Sequence, residues 1–143
     1  MYESNSIKIP AGYVTASAIG FADGAGMLAV ASETTPLPTT IASPAAPDAL
    51  SGSANSNRIA GPFVPVVGRP VMVQLTGDWI GSVQMRRSVD GGTTKLPITV
   101  AGGEWGRFTG NACEPVWDES EAGAQLYLDI AIYAGTVAYR VSQ

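Results

Sequence analysis

Histidine is missing from this 143-residue chain, cysteine occurs once, and lysine occurs only at positions 8 and 95. Without an imidazole, a serine or cysteine nucleophile lacks its usual base, and two lysines are thin material for a substitute, so hydrolytic chemistry of that kind is not expected. The lone Cys113 cannot close an internal disulfide. The fold must hold without one, as expected of a protein made in a reducing cytoplasm, and Cys113 itself is expected to be a small buried apolar residue. Charge is also scarce. Charged residues make up 14% of the chain, with twelve acids against eight bases and a net charge of −4. No block of Lys or Arg could neutralise a row of phosphates, which argues against nucleic-acid binding. Long apolar runs are lacking too. The most apolar N-terminal stretch, Ala16 to Ala31, is interrupted by Gly20, Asp23, Gly24 and Gly26 and falls short of the ~20 residues of a membrane span. The opening segment MYESNSIKIP carries a glutamate and no apolar core, unlike a signal peptide. A soluble protein that is not exported by the general pathway is the expectation, with no cofactor and no metal called for by any residue pattern.

What is abundant is turn chemistry: 17 glycines and 10 prolines. The length suits one β-domain of ordinary size with an extension. Residues 1–68 are rich in Ala, Ser, Thr, Pro and Gly, hold no tryptophan, and between Asp23 and Arg69 carry only Glu33, Asp48 and Arg58 as charges. They read as an extended arm with short strands at SIKIP (Ser6 to Pro10), GYVTASAIG (Gly12 to Gly20) and GMLAVAS (Gly26 to Ser32). The stretch from Thr34 to Asn57 contains four prolines, so it should be neither helix nor central strand. It reads either as a mobile linker or, as the apolar Leu37, Ile41, Leu50 and, just beyond, Ile59 favour, as an arm lying along another subunit.

From Arg69 to Gln143 the periodicity is two. Val71, Val73 and Leu75 alternate with Met72, Gln74 and Thr76, and Trp79, Gly81, Val83, Met85 and Arg87 alternate with Ile80, Ser82, Gln84 and Arg86, the pattern of strands with one apolar face. Pro97 marks an edge strand or bulge in TTKLPITV. In QLYLDIAIY, Leu126, Leu128, Ile130 and Ile132 share a face, and Ala134-Gly135 reads as the turn of a hairpin into TVAYRVS. The segment DESEAGAQL is broken by a glycine and reads as a turn. The fold class expected is all-β: a small antiparallel sandwich or barrel over 69–143 behind the arm of 1–68.

Three constellations could carry function. The turn SVDGGTT places Ser88, Asp90, Gly92 and Thr94 at the Ser-x-Asp-x-Gly-x-Thr spacing of the Asp-box, which it resembles, with Lys95 where the box usually carries tryptophan. A turn aspartate accepts backbone N–H bonds and glycine supplies positive φ, so a structural hairpin is the expected role, not glycosidase chemistry. The acids Glu114, Asp118, Glu119 and Glu121 lack the ligand spacing of a calcium loop and read as a solvated turn. Trp79, Trp105 and Trp117, with Tyr127, Tyr133 and Tyr139, could fill a core or line a subunit contact, or could present a glycan platform; Trp105 is the side chain whose exposure would tell.

Two segments carry a family resemblance. GMLAVASETTPLPTTI is similar, through Val30, Ala31, Ser32, Thr35, Pro36, Leu37 and Pro38, to an xVSxxNPLPV-type segment of phage virion proteins, with Thr35 for the usual Asn. LTGDWIGSVQMRRSVDGG, Leu75 to Gly92, resembles the L-x-G-x-W-x-G-x-V-x-x-x-R-S-x-D-G-G hairpin of small β-rich phage proteins. The resemblance implies a structural protein of a tailed-bacteriophage or prophage particle, made in the host cytoplasm and residing in the virion. It would be a tail, baseplate or fibre component or a capsid decoration protein, with other virion subunits as partners in a symmetric homo-oligomer, and with a host surface glycan as a further partner. A carbohydrate-binding β-sandwich module is the alternative, and no catalytic residues are carried over.

Overall fold

A computed structural model describes residues 19–37 and 44–143. The chain divides into two compact units, Met1–Ala42 and Ser43–Gln143. In the first, β1 (Gly20–Ala22) and β2 (Leu28–Val30) pair antiparallel, Gly20 opposite Val30. Asp23 organises the turn between them: its Oδ1 accepts the backbone N–H of Ala25 and of Met27 at 2.9 and 2.8 Å, which is the self-bonding that favours aspartate in turns. The strand expected in Gly26 to Ser32 is thus present as β2. Those expected at Ser6 to Pro10 and through most of Gly12 to Gly20 lie outside the described residues.

The second unit is built on two long strands, β5 (Pro70–Ser88) and β11 (Gln125–Ser142), which pair antiparallel along nearly their whole length, from Gln125 opposite Ser88 to Ser142 opposite Met72. The outer side of β11 is covered by β3 (Leu50–Ala54) at its C-terminal half and by β4 (Arg58–Phe63) at its N-terminal half. The outer side of β5 carries β6 (Leu96–Pro97), β9 (Arg107–Phe108) and β10 (Ala112–Asp118). A minor ribbon of β7 (Thr99–Val100) and β8 (Gly103–Glu104) stands apart. All pairings are antiparallel, the main sheet has seven strands, and the described residues contain no helix. The all-β antiparallel expectation therefore stands.

Parity explains the core. Val71, Val73, Leu75, Trp79, Val83 and Met85 occupy alternate positions of β5 and are all buried. On β11 the residues of the core cluster are Leu126, Leu128, Ile130 and Ile132, then Val137, Tyr139 and Val141. The switch from even to odd follows a bulge between Ile132 and Ala134, whose extra residue keeps the apolar face on one side. One face of both long strands feeds a single buried cluster.

Two sequence readings need correction. The arm does not extend to residue 68, since β3 and β4 are integral to the main sheet and the compact unit begins at Ser43. Between Pro47 and Pro62 the chain has no proline, and LSGSA is free to pair; it does so as an end strand of the sheet, the place left open to strands beside proline-rich chain. Nor is Ala134-Gly135 a hairpin turn. Gly135 has φ +78°, and a Cβ there would lie 2.1 Å from the Asp78 carbonyl oxygen, so glycine permits a bend within one continuous strand whose partner is β5. The other glycine-rich hairpin is as expected: Arg86 and Arg87 of β5 pair with Pro97 and Leu96 of β6 around the Ser88 to Thr94 turn.

Candidate functional site

The turn that ends β5 is hydrogen-bonded from within. Ser88 is buried; its hydroxyl donates to Asp90 Oδ1 at 2.7 Å and accepts the Gly92 N–H at 2.9 Å. Asp90 accepts the Thr94 N–H on both carboxylate oxygens, at 2.8 and 3.0 Å. The bonds from Thr94, and then from Ser88, hold the Asp90 carboxyl down at about 2. Gly92 has φ +87°, and a Cβ would sit 2.3 Å from the Tyr127 hydroxyl, so the glycine of the box is required by both backbone and neighbour. Lys95, at the position that departs from the Asp-box, donates to the Gly92 carbonyl and lies 4.8 Å from the centre of the Tyr127 ring. It joins the turn to β11 by a cation–π contact.

Next to the turn is the charge cluster of the molecule. Arg87 has the parity of Val83 and Met85, so its guanidinium is led towards the interior and needs a carboxylate there. Glu119, 1% exposed, supplies it in bidentate fashion, Nε to Oε2 at 2.7 Å and Nη2 to Oε1 at 2.8 Å. Glu119 also accepts the Trp117 indole N–H at 3.1 Å and the backbone N–H groups of Ser120 and Glu121 at 3.0 and 2.9 Å. The Arg87 guanidinium foremost, with the Glu121 N–H and the Trp117 indole, draws the Glu119 carboxyl to about 2 against the cost of burial. Glu121 adds a second, more exposed ion pair to Arg87 at 2.8 Å, and the two glutamates push the guanidinium pKa up. Of the four acids expected in a solvated turn, Glu114, Asp118 and Glu121 are exposed, and Glu119 alone is buried, because a core-facing arginine captured it in an ionic lock. Sequence reading missed this pair, although the parity of Arg87 was a signal for it.

Turn and lock border a half-open cleft of about 420 Å³, whose walls include Asp90, Thr94, Leu96, Ile98, Trp117 and Glu119. Acids held at about 2 stay ionised and are poor proton donors near neutral pH. The arrangement suits binding and rigid support more than proton transfer. Among the described residues no group of three or more His, Cys, Asp or Glu side chains is disposed to hold a metal ion.

The three tryptophans part company. Trp79 is buried, its indole N–H donating to Asn111 Oδ1 at 2.9 Å, and cannot serve a glycan platform. Trp117 is half-buried against the core and lines the cleft. Trp105 is 47% exposed, with its indole N–H on the Val116 carbonyl at 2.7 Å. Tyr127 and Tyr139 are buried, whereas Tyr133, the extra residue of the β11 bulge, is 80% exposed. Of the proposed arm contacts, Leu37 is exposed in the first unit, Leu50 packs against the core, Ile59 is exposed on β4, and Ile41 lies outside the described residues. Cys113, expected to be buried, is exposed on β10, because it lies opposite Gln74, on the face of β5 turned away from Val73 and Leu75. Not anticipated at all were Leu28 and Val30, which stand exposed on β2.

No protein-family model, no curated protein and no solved structure matches this chain.

Proposed function

We propose that the chain is a structural subunit of a tailed-bacteriophage or prophage particle, acting by burying surface against neighbouring subunits and not by catalysis. The observation that carries this reading is the contrast between a β-body with a buried apolar cluster and an N-terminal hairpin whose large apolar side chains, among the described residues, are exposed. Ile19, Met27, Leu28, Val30 and Leu37 are all exposed, and a lone two-stranded hairpin is marginal in water. An apolar arm of this kind gains stability when a neighbour covers it, at the entropic cost of being ordered. Of the phage-like segments, Gly26 to Ile41 contains β2, and Leu75 to Gly92 runs along β5 into the bonded turn. The short PLP-type segment favours a tail, baseplate or fibre position over capsid decoration.

Quantitative mass spectrometry of purified particles tests the proposal. Copies in a small multiple of three or six per portal are expected. Hundreds of copies would move the chain to the capsid coat, and its absence from particles would refute the virion reading. The alternative, a carbohydrate-binding module, draws on the exposed ring of Trp105 and would then be promoted.

A further inference from the structure

The face of the sheet turned away from the core is not evenly polar. Where β5 and β11 pair between Ser82 and Arg86, with Gln84 opposite Asp129, a depression of about 210 Å³ is lined by Ser82, Gln84, Arg86, Glu104, Arg107 and Asp129. It holds two arginine–carboxylate pairs. Arg86 reaches Asp129 Oδ2 through Nε and Nη2, each at 2.7 Å, and a third nitrogen, Nη1, donates to the Lys95 carbonyl at 3.0 Å. Arg107 Nη1 meets Glu104 Oε2 at 2.9 Å. Both pairs are partly solvent-exposed, and in each only one carboxylate oxygen is engaged. Between them lies Gln84, 9% exposed. Its amide nitrogen is oriented by the carbonyls of Met85 and Trp105, at 3.1 and 2.8 Å. Its Oε1 is then left buried with no hydrogen-bond partner, which is costly unless a donor reaches it. Pro97 and Ala131 complete the lining.

We infer that this depression binds a neutral, hydroxyl-bearing ligand, a pyranose unit of a glycan. The site's formal charge cancels, two cations against two anions, which disfavours a free ion. Each arginine–carboxylate pair presents N–H donors beside an open acceptor oxygen, the arrangement that a hydroxyl, donor and acceptor at once, can satisfy on both sides. A vicinal diol matches two such groups, and a further hydroxyl supplies the donor that Gln84 Oε1 lacks. The Arg107–Glu104 pair is exposed and weakly held, so it can part to admit the ligand. This site is distinct from the tryptophan platform expected from sequence and stands whether or not the chain belongs to a virion.

The test is amide-resolved NMR titration of the full chain with a panel of neutral hexoses and N-acetylhexosamines, alongside glucuronate, glycine and inorganic phosphate. A single sugar unit in a site of this size should bind at about millimolar Kd, shifting the amides of Ser82, Gln84 and Ala131. Glu104→Gln and Arg107→Gln, both at exposed positions, should each weaken binding about fivefold or more with the melting temperature unchanged. The inference is overturned if no neutral sugar moves these amides, if the shifts map to Trp105 or Trp117 instead, or if glucuronate, glycine or phosphate binds here and neutral sugars do not.

Discussion

The two units of this protein use similar residues to opposite ends. Leu28 and Val30 on β2 share the alternation of Leu128 and Ile130 on β11, yet Leu28 is 79% exposed while Leu128 is completely buried. The difference is the number of strands that the face can fold against. In the body, β11 has β5 on one side and β3 and β4 on the other, and its apolar side chains close over one another in one cluster. In the first unit the described residues supply one pair of three-residue strands and nothing to fold over. An apolar stripe becomes a core only when the sheet is wide enough to wrap it, and otherwise it is a surface awaiting a partner.

Truncation separates the units most strongly. Removal of residues 1–42 should leave the near-ultraviolet circular dichroism and cooperative melting of the body intact. Removal of residues 1–57 takes β3 away, uncovers Val137 and Val141, and should abolish both signals. Equal behaviour of the two truncations would show that the division at Ser43 is wrong. Point substitution comes next: Leu128→Ala should destabilise by about 3 kcal/mol in urea unfolding, whereas Leu28→Ala should stay within about 0.5 kcal/mol in the isolated chain. A large loss from Leu28→Ala in the unassembled protein would mean that the hairpin already has a buried face.

The ionic lock offers a sharper probe of the body alone. Glu119→Gln leaves Arg87 without its bidentate partner and should cost about 2 kcal/mol at neutral pH. The two depressed carboxyls also set an acid dependence. Glu119 and Asp90 fall from ordinary values of 4.5 and 3.8 to about 2 in the folded state, so the unfolded chain binds more protons in that interval. Their stabilisation is complete above the ordinary carboxyl range and is lost as pH falls towards about 2. Urea midpoints measured across that window should decline in the native chain and decline less steeply in Glu119→Gln, where Asp90 still titrates; an unchanged slope would remove the lock from the acid response. The smallest effect belongs to the turn. Lys95→Trp, which restores the usual residue of the Asp-box, should shift stability by less than about 1 kcal/mol, since it exchanges one contact on Tyr127 for another.

Much of the body was legible because strand parity is written locally. The alternations through Val71 to Met85 and Leu126 to Ile132 are the buried faces observed, and the turn of Ser88, Asp90, Gly92 and Thr94 closes on itself through bonds between residues at most four apart. The site residues were less legible, because their partners are distant in sequence. Arg87 meets Glu119, Arg86 meets Asp129, and Trp79 meets Asn111 across separations of 32, 43 and 32 residues, and no local pattern states which acid answers which arginine.

By itself, then, the sequence determined the strand character of the chain, the side of each strand that is apolar, and the bonded turn, all of which follow from side-chain alternation and short-range hydrogen bonding. Tertiary structure alone decided that Gly135 bends a strand instead of ending it, that Leu50 to Phe63 complete the sheet, that Glu119 is buried while Cys113 is not, and that Gln84 lies between two ion pairs. Those outcomes depend on which strand lies beside which, and pairing is chosen by the wrapping of the whole sheet around one core.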